Sequence, residues 1–120
     1  MIARQLAGVG AVCVLGIGAA ALAWPKRSTS TYGIPSDDED TLAYVRATAA
    51  RDLVMGLFIL RAALADDRKA METGLAACII APAADLVLAR GRRGNVPQLA
   101  IHGAGVAGVF AVWALVRAGL

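Results

Sequence analysis

Arg51, Asp52, Asp85 and His102 stand inside otherwise apolar stretches of this 120-residue chain. An ionisable side chain at membrane depth is expensive, faces the protein interior, and is a functional-site hypothesis by default. Arginine suits bidentate recognition of a carboxylate or phosphate. Asp52 or Asp85 is a candidate general acid, with His102 as base. Tyr44 joins the set, because Tyr44, Thr48 and Arg51 recur at helical spacing with Asp52 beside them. The ligand-binding candidates are therefore Tyr44, Arg51, Asp52, Asp85 and His102, and no catalytic residue is assigned. The competing explanation is an ion-pair network that only locks helices together.

The same residues argue against cofactors. Asp52, Asp85 and His102 would make an oxygen-rich metal site with one imidazole, but a neighbouring arginine opposes a cation. Haem is not expected, with a single histidine and no attachment motif. There is no P-loop, no dinucleotide fingerprint and no serine nucleophile with a plausible base. No metal or other cofactor is expected.

The elements that must hold these residues are long apolar blocks. Hydrophobic residues make up 58% of the chain and charged ones 18%, against about 45–50% and about 25% in soluble domains. The blocks cover residues 6–24, 41–65, 72–89 and 97–116, each near the roughly 20 residues that span a bilayer core. The first, Leu6 to Trp24, also has features of a signal peptide, with Arg4 at its start and Ala21-Leu22-Ala23 as a cleavage-like site. Its apolar core is longer than the usual 7–15 or so residues of such peptides. The loop Pro25 to Asp40 carries Ser36 with Glu39 three residues on, which predicts a capping box opening the second helix. Pro97 suits a first helical turn. Short polar loops make sequential helices antiparallel neighbours. The expected architecture is all-α: one membrane-embedded antiparallel four-helix bundle over residues 1–120, integral to the cell membrane.

The second block is the informative one. On an insertion scale its Leu, Ile, Val and Phe residues offer on the order of −4 kcal/mol, while Arg51 and Asp52 cost about +6. Alone it should insert poorly. Adjacent helical residues point about 100° apart, so Arg51 and Asp52 are not expected to face each other. Their partners should come from other helices, Asp85 for Arg51 and His102 for Asp52, with Gln98 nearer the end. At about 1.5 Å per residue these groups lie at similar depth in one half of the bundle. The Tyr32 to Pro35 loop covers the same side. Pro82 should kink the third helix and free the Cys78 carbonyl, a group that must find a partner or line a cavity.

Net charge is +3. The cations cluster between blocks, at Lys26-Arg27, Arg68-Lys69 and Arg90, Arg92 and Arg93, which is how cations flank membrane spans. Nucleic acid is not an expected partner, since phosphate-tracking proteins gather their cations on one face. Both termini should share one membrane side, with Lys26 and Arg93 on the other; the cations on the two sides nearly balance, with a slight lean to cytoplasmic loops one and three. Cys13 and Cys78 read as small buried hydrophobes. Gly103, Ala107 and Ala111, and Ala7, Ala11, Leu15 and Ala19, form small-residue faces. These suit close helix packing within the monomer or, alternatively, a homodimer.

The order Tyr32-Gly33-Ile34-Pro35, Tyr44-Val45-Arg46, Arg51-Asp52-Leu53 with Gly56, then Pro82, Asp85 and His102-Gly103 resembles a family of small four-helix membrane proteins catalogued as a domain of unknown function. The likeness runs from about Tyr32 to the C-terminus. It implies that the polar set is a family trait and supplies no reaction. Three functions remain open. The chain binds, or assists transport of, a small amphipathic or lipophilic ligand. It is a membrane-embedded acid/base enzyme acting on a quinone- or isoprenoid-like lipophile. Or it is a structural subunit of a larger membrane complex.

Overall fold

A computed structural model describes residues 2–32, 35–91 and 96–120. The chain is all-α, with helices α1 (Ile2–Ala23), α2 (Pro25–Ser28), α3 (Glu39–Leu64), α4 (Arg68–Gly91) and α5 (Val96–Ala118). The expectations on Gly33, Ile34, Arg92 and Arg93, and those on the side chains of Arg90 and Gln98, lie outside the described residues.

Each long helix falls on one expected block, and the ends differ for local reasons. α1 starts at Ile2 rather than Leu6 and takes in Arg4, whose guanidinium pairs with Asp66 at 3.4 Å. The cap of α3 is Asp38, not Ser36. The Asp38 Oδ1 accepts the Asp40 and Thr41 amides at 3.0 and 3.1 Å, while Ser36 donates to the Asp38 carboxylate at 2.6 Å. Aspartate caps as well as serine, and the serine here orients the cap. These bonds hold the Asp38 carboxyl down at about 2, below its ordinary range. α4 starts four residues ahead of Glu72 because Asp67 accepts the Ala70 amide at 3.0 Å. Asp66 makes the preceding turn at φ 54, a conformation aspartate tolerates. The short α2 was not expected; Pro25 at its first turn starts it.

α1 and α3 approach most closely at Gly18 and Gly56, where a β-carbon would not fit. A Cβ at Gly18 would lie 2.9 Å from the Ala49 carbonyl oxygen, and one at Gly56 would lie 2.8 Å from Leu15 and 3.1 Å from the Ala11 carbonyl oxygen. Ala3, Ala7, Ala11, Gly18 and Ala21 form the buried stripe of α1, so the small face expected there packs within the chain at Ala7 and Ala11, while Ala19 is exposed and Gly18 and Ala21 continue the stripe instead. The one expected on the last helix does not. A Cβ at Gly103, Gly105 or Gly108 would meet nothing within 4 Å.

The core is split in two. Toward the termini, Ala3, Ala7 and Ala11 pack with Ile59, Ala62, Met71, Leu75 and Val116. There the Ala3 amide donates to the Leu120 carbonyl at 3.2 Å, and Arg117 lies 3.9 Å from Glu72. Toward the other end, Ala21 packs with Val45, Ala49 and Tyr32. Cys78 is buried as expected, but Cys13 is exposed.

The outer surface is apolar. Val54, Leu57, Leu64, Ile80, Val87, Ile101 and Phe110 are all more than half exposed. Soluble proteins seldom present contiguous apolar patches on this scale; in lipid they cost nothing. α1, α4 and α5 contain segments (Ile2–Ala23, Arg68–Val87 and Leu99–Ala118) long and apolar enough to cross a membrane, the signature of a membrane protein. α3 is long enough at 26 residues, but Arg46, Arg51 and Asp52 interrupt it.

Candidate functional site

Arg51 sits mid-way along α3 with its side chain turned toward α4. Its Nη2 lies 3.2 Å from Asp85 Oδ2, the partner expected from depth. The same Nη2 lies 3.2 Å from Asp52 Oδ1, and Nε lies 3.4 Å from it. The expectation that these neighbours do not face each other is therefore wrong for this pair. The 100° separation describes Cα–Cβ directions, and arginine's long stem lets the guanidinium fold back across it. One cation thus bridges two carboxylates on two helices. The side chains of Asp52 and Asp85 are 17% and 15% exposed, that of Arg51 37%.

Asp52 is completed by a residue the sequence did not single out. The Tyr32 hydroxyl donates to Asp52 Oδ2 at 3.0 Å, reaching back from the segment after α2. Burial, and then the Asp52 carboxylate, push the Tyr32 phenol well above its ordinary value, so it stays protonated as the donor. The signal for it was present in the loop placed over this side of the bundle, but neither periodicity nor charge marked this tyrosine. His102 is not the partner of Asp52. The carboxylate is filled by Arg51 and Tyr32, and His102 Nε2 is buried without a hydrogen-bond partner among the described residues. Tyr44 is 40% exposed and lies apart from the others.

These groups form one end of a cavity of about 520 Å³ between the two cores. Tyr32, Arg51, Asp52, Asp85 and His102 line it; Tyr44 does not. Apart from Thr31 beside Tyr32, the rest of the wall is apolar, with Val9, Val14 and Ile17 of α1, Met55 and Ile59 of α3, and Ile101, Val109 and Val112 of α5. Cys78 and Pro82 lie in it too. Pro82 sits inside a continuous α4, and, lacking an amide hydrogen, leaves the Cys78 carbonyl without its usual helical donor. The cavity exists because α1 and α5 meet near Ala3 and Leu120 while glycines stand where α5 faces the middle of α1. Among the described residues no group of three or more His, Cys, Asp or Glu side chains gathers to hold a metal ion.

The arrangement can bind an elongated apolar molecule with a polar end and can exchange hydrogen bonds with it. Fold and surface together define an all-α membrane protein with an ionic cluster at the end of an apolar cavity. The chain belongs to the family described as domain of unknown function DUF4267, whose model matches residues 11–117. The match reaches further back than Tyr32, where the resemblance began, and takes in most of α1. It contains every residue of the polar cluster. Neither a curated protein nor a solved structure matches the chain.

Proposed function

We propose that this chain is an integral protein of the cell membrane whose four long helices form an antiparallel bundle, with α3 as the fourth span, and that it binds a small lipophilic molecule between them. The observation that carries the binding reading is the cavity itself: about 520 Å³, apolar along its length and polar at one end. Ligand sites commonly fall in the range of about 300–1,000 Å³ and pair apolar walls with a few placed polar groups. The bundle reading is supported by contacts between successive long helices: Gly18 beside Ala49 and Gly56 beside Ala11 for α1 and α3, Arg51 with Asp85 for α3 and α4, and Arg117 with Glu72 for α4 and α5. The mid-span charges Arg51 and Asp52 then lie inside the bundle, paired, where a membrane helix tolerates them.

An acid/base enzyme draws less support, because Asp52 is taken up by Arg51 and Tyr32 and not by His102. A structural subunit or homodimer draws only on the open small face of α5. Mass spectrometry of solvent extracts from the purified protein tests the binding reading. The wild type should release a reproducible small molecule in near-equal amount to protein. Gly108→Phe should lose it while staying folded, since Gly108 lines the cavity and has room for a side chain. Extracts that match bulk lipid for both proteins would contradict the reading.

A further inference from the structure

The polar end of the cavity carries more acid than base. Among the described residues that line it, the charged ones are Arg51, Asp52 and Asp85, one cation against two carboxylates. Arg51 engages both acids through Nη2. Both oxygens of Asp52 are occupied, one by Arg51 and one by Tyr32. Asp85 meets Arg51 through Oδ2, and its Oδ1 has no partner among the described residues. His102 Nε2 is likewise buried and unpartnered; with the ring proton on Nδ1 it is an acceptor. The Asp85 carboxylate oxygen is thus left free on a residue that lines the cavity, beside a cluster of formal charge −1, while His102 Nε2 lies closed off within the wall.

We propose that the cavity takes a lipophilic cation, a protonated alkyl amine, with its ammonium at Asp85 and its apolar body along α1 and α5. This rests on the binding reading above and names its ligand class. An ammonium offers donors and no acceptor, and it brings the cluster to neutrality. A carboxylate or phosphate head would add a second uncompensated negative charge beside two carboxylates that are 17% and 15% exposed, which a dielectric below that of water makes costly. The arginine that suggested an anionic ligand keeps its Nη1 donors, but its charge is already outweighed by the two acids that Nη2 meets.

Cys78 provides a readout inside the cavity wall. The full-length Cys13→Ser protein, in phosphatidylcholine nanodiscs at pH 8, leaves Cys78 as the single thiol. Its alkylation by N-ethylmaleimide is followed by mass spectrometry in the presence of dodecylamine, dodecanol or dodecanoate. Dodecylamine should slow alkylation at a concentration at least about tenfold lower than dodecanoate, as expected when one head group makes a charge-assisted hydrogen bond and the other does not. Folded Asp85→Asn should erase that preference and keep protection by dodecanol, and Asp85→Glu should retain the preference. If Asp85→Asn does not fold, the three-probe series on the Asp85 protein decides alone. Dodecanoate protecting as well as dodecylamine, or an unchanged preference in folded Asp85→Asn, would overturn the cation assignment and leave a binding cavity standing. Protection by none of the probes would overturn the binding reading together with it.

Discussion

Arg51 is the residue on which the cluster depends. Asp52 and Asp85 approach the same guanidinium nitrogen, so losing the cation strands two acids, whereas losing Asp85 still leaves Arg51 paired with Asp52. Arg51→Ala should therefore cost about 2–3 kcal/mol in detergent unfolding, under the roughly 3–5 of a fully buried pair because the arginine is partly exposed. Asp85→Ala should cost less, and the double variant should recover part of the Arg51→Ala loss; strictly additive losses would refute the coupling. Tyr32 makes a separate claim. Its phenol is raised from an ordinary value of 10.0, so the folded state disfavours the phenolate. The stabilisation is complete below pH 10 or so and is lost as pH rises above it. Ultraviolet difference titration should show a late phenolic step that vanishes in Tyr32→Phe and survives in Tyr44→Phe. The Arg51–Asp85 pair was legible in the sequence because few charges lie mid-span and their depths agree. Tyr32 was not, because its position depends on how the chain turns after α1. Tyr44 misled, because helical spacing shows which residues share a side and not how far along the helix the cavity extends.

At the scale of elements, apolar blocks located all four long helices, while aspartate caps at Asp38 and Asp67 moved their starts. Block composition says where a helix can form; the cap says where it begins. The same distinction governs the small-residue faces. Four-residue spacing marks a smooth helix side and is silent on what meets it, so α1 used its smooth side against α3 while α5 left its glycines facing open space. Substitution separates the two. Gly18→Ala drives a methyl against the Ala49 carbonyl oxygen at 2.9 Å, backbone that cannot swing aside, and should destabilise by about 1–3 kcal/mol. Gly105→Ala meets nothing and should be neutral or stabilising by up to about 1 kcal/mol through helix propensity. Thermal unfolding of the two variants in detergent checks the order; equal losses would mean that α1 and α3 do not approach as closely as described.

At the scale of the whole molecule, the long dimension is 44 Å, close to the roughly 40–45 Å of a bilayer with its headgroups. Large apolar side chains lie on the exposed surface, while Arg51, Asp52 and Asp85 meet one another between the helices, the inverse of a soluble protein. Among the described residues, three helices are long and apolar enough to cross a membrane on hydropathy alone. The proposed fourth span, α3, draws its support from its partners, since the mid-span charges that weaken it as an isolated span are the ones that Asp85 and Tyr32 engage. The binding reading and the ligand class both depend on α3 crossing with that cluster inside. Single cysteines at Asp37 and Ala65, exposed positions just beyond the two ends of α3, can be placed in a Cys13→Ser, Cys78→Ser background and probed in sealed vesicles with a membrane-impermeant maleimide. The account predicts that Asp37→Cys and Ala65→Cys label from opposite sides of the membrane; labelling of both from the same side would contradict it.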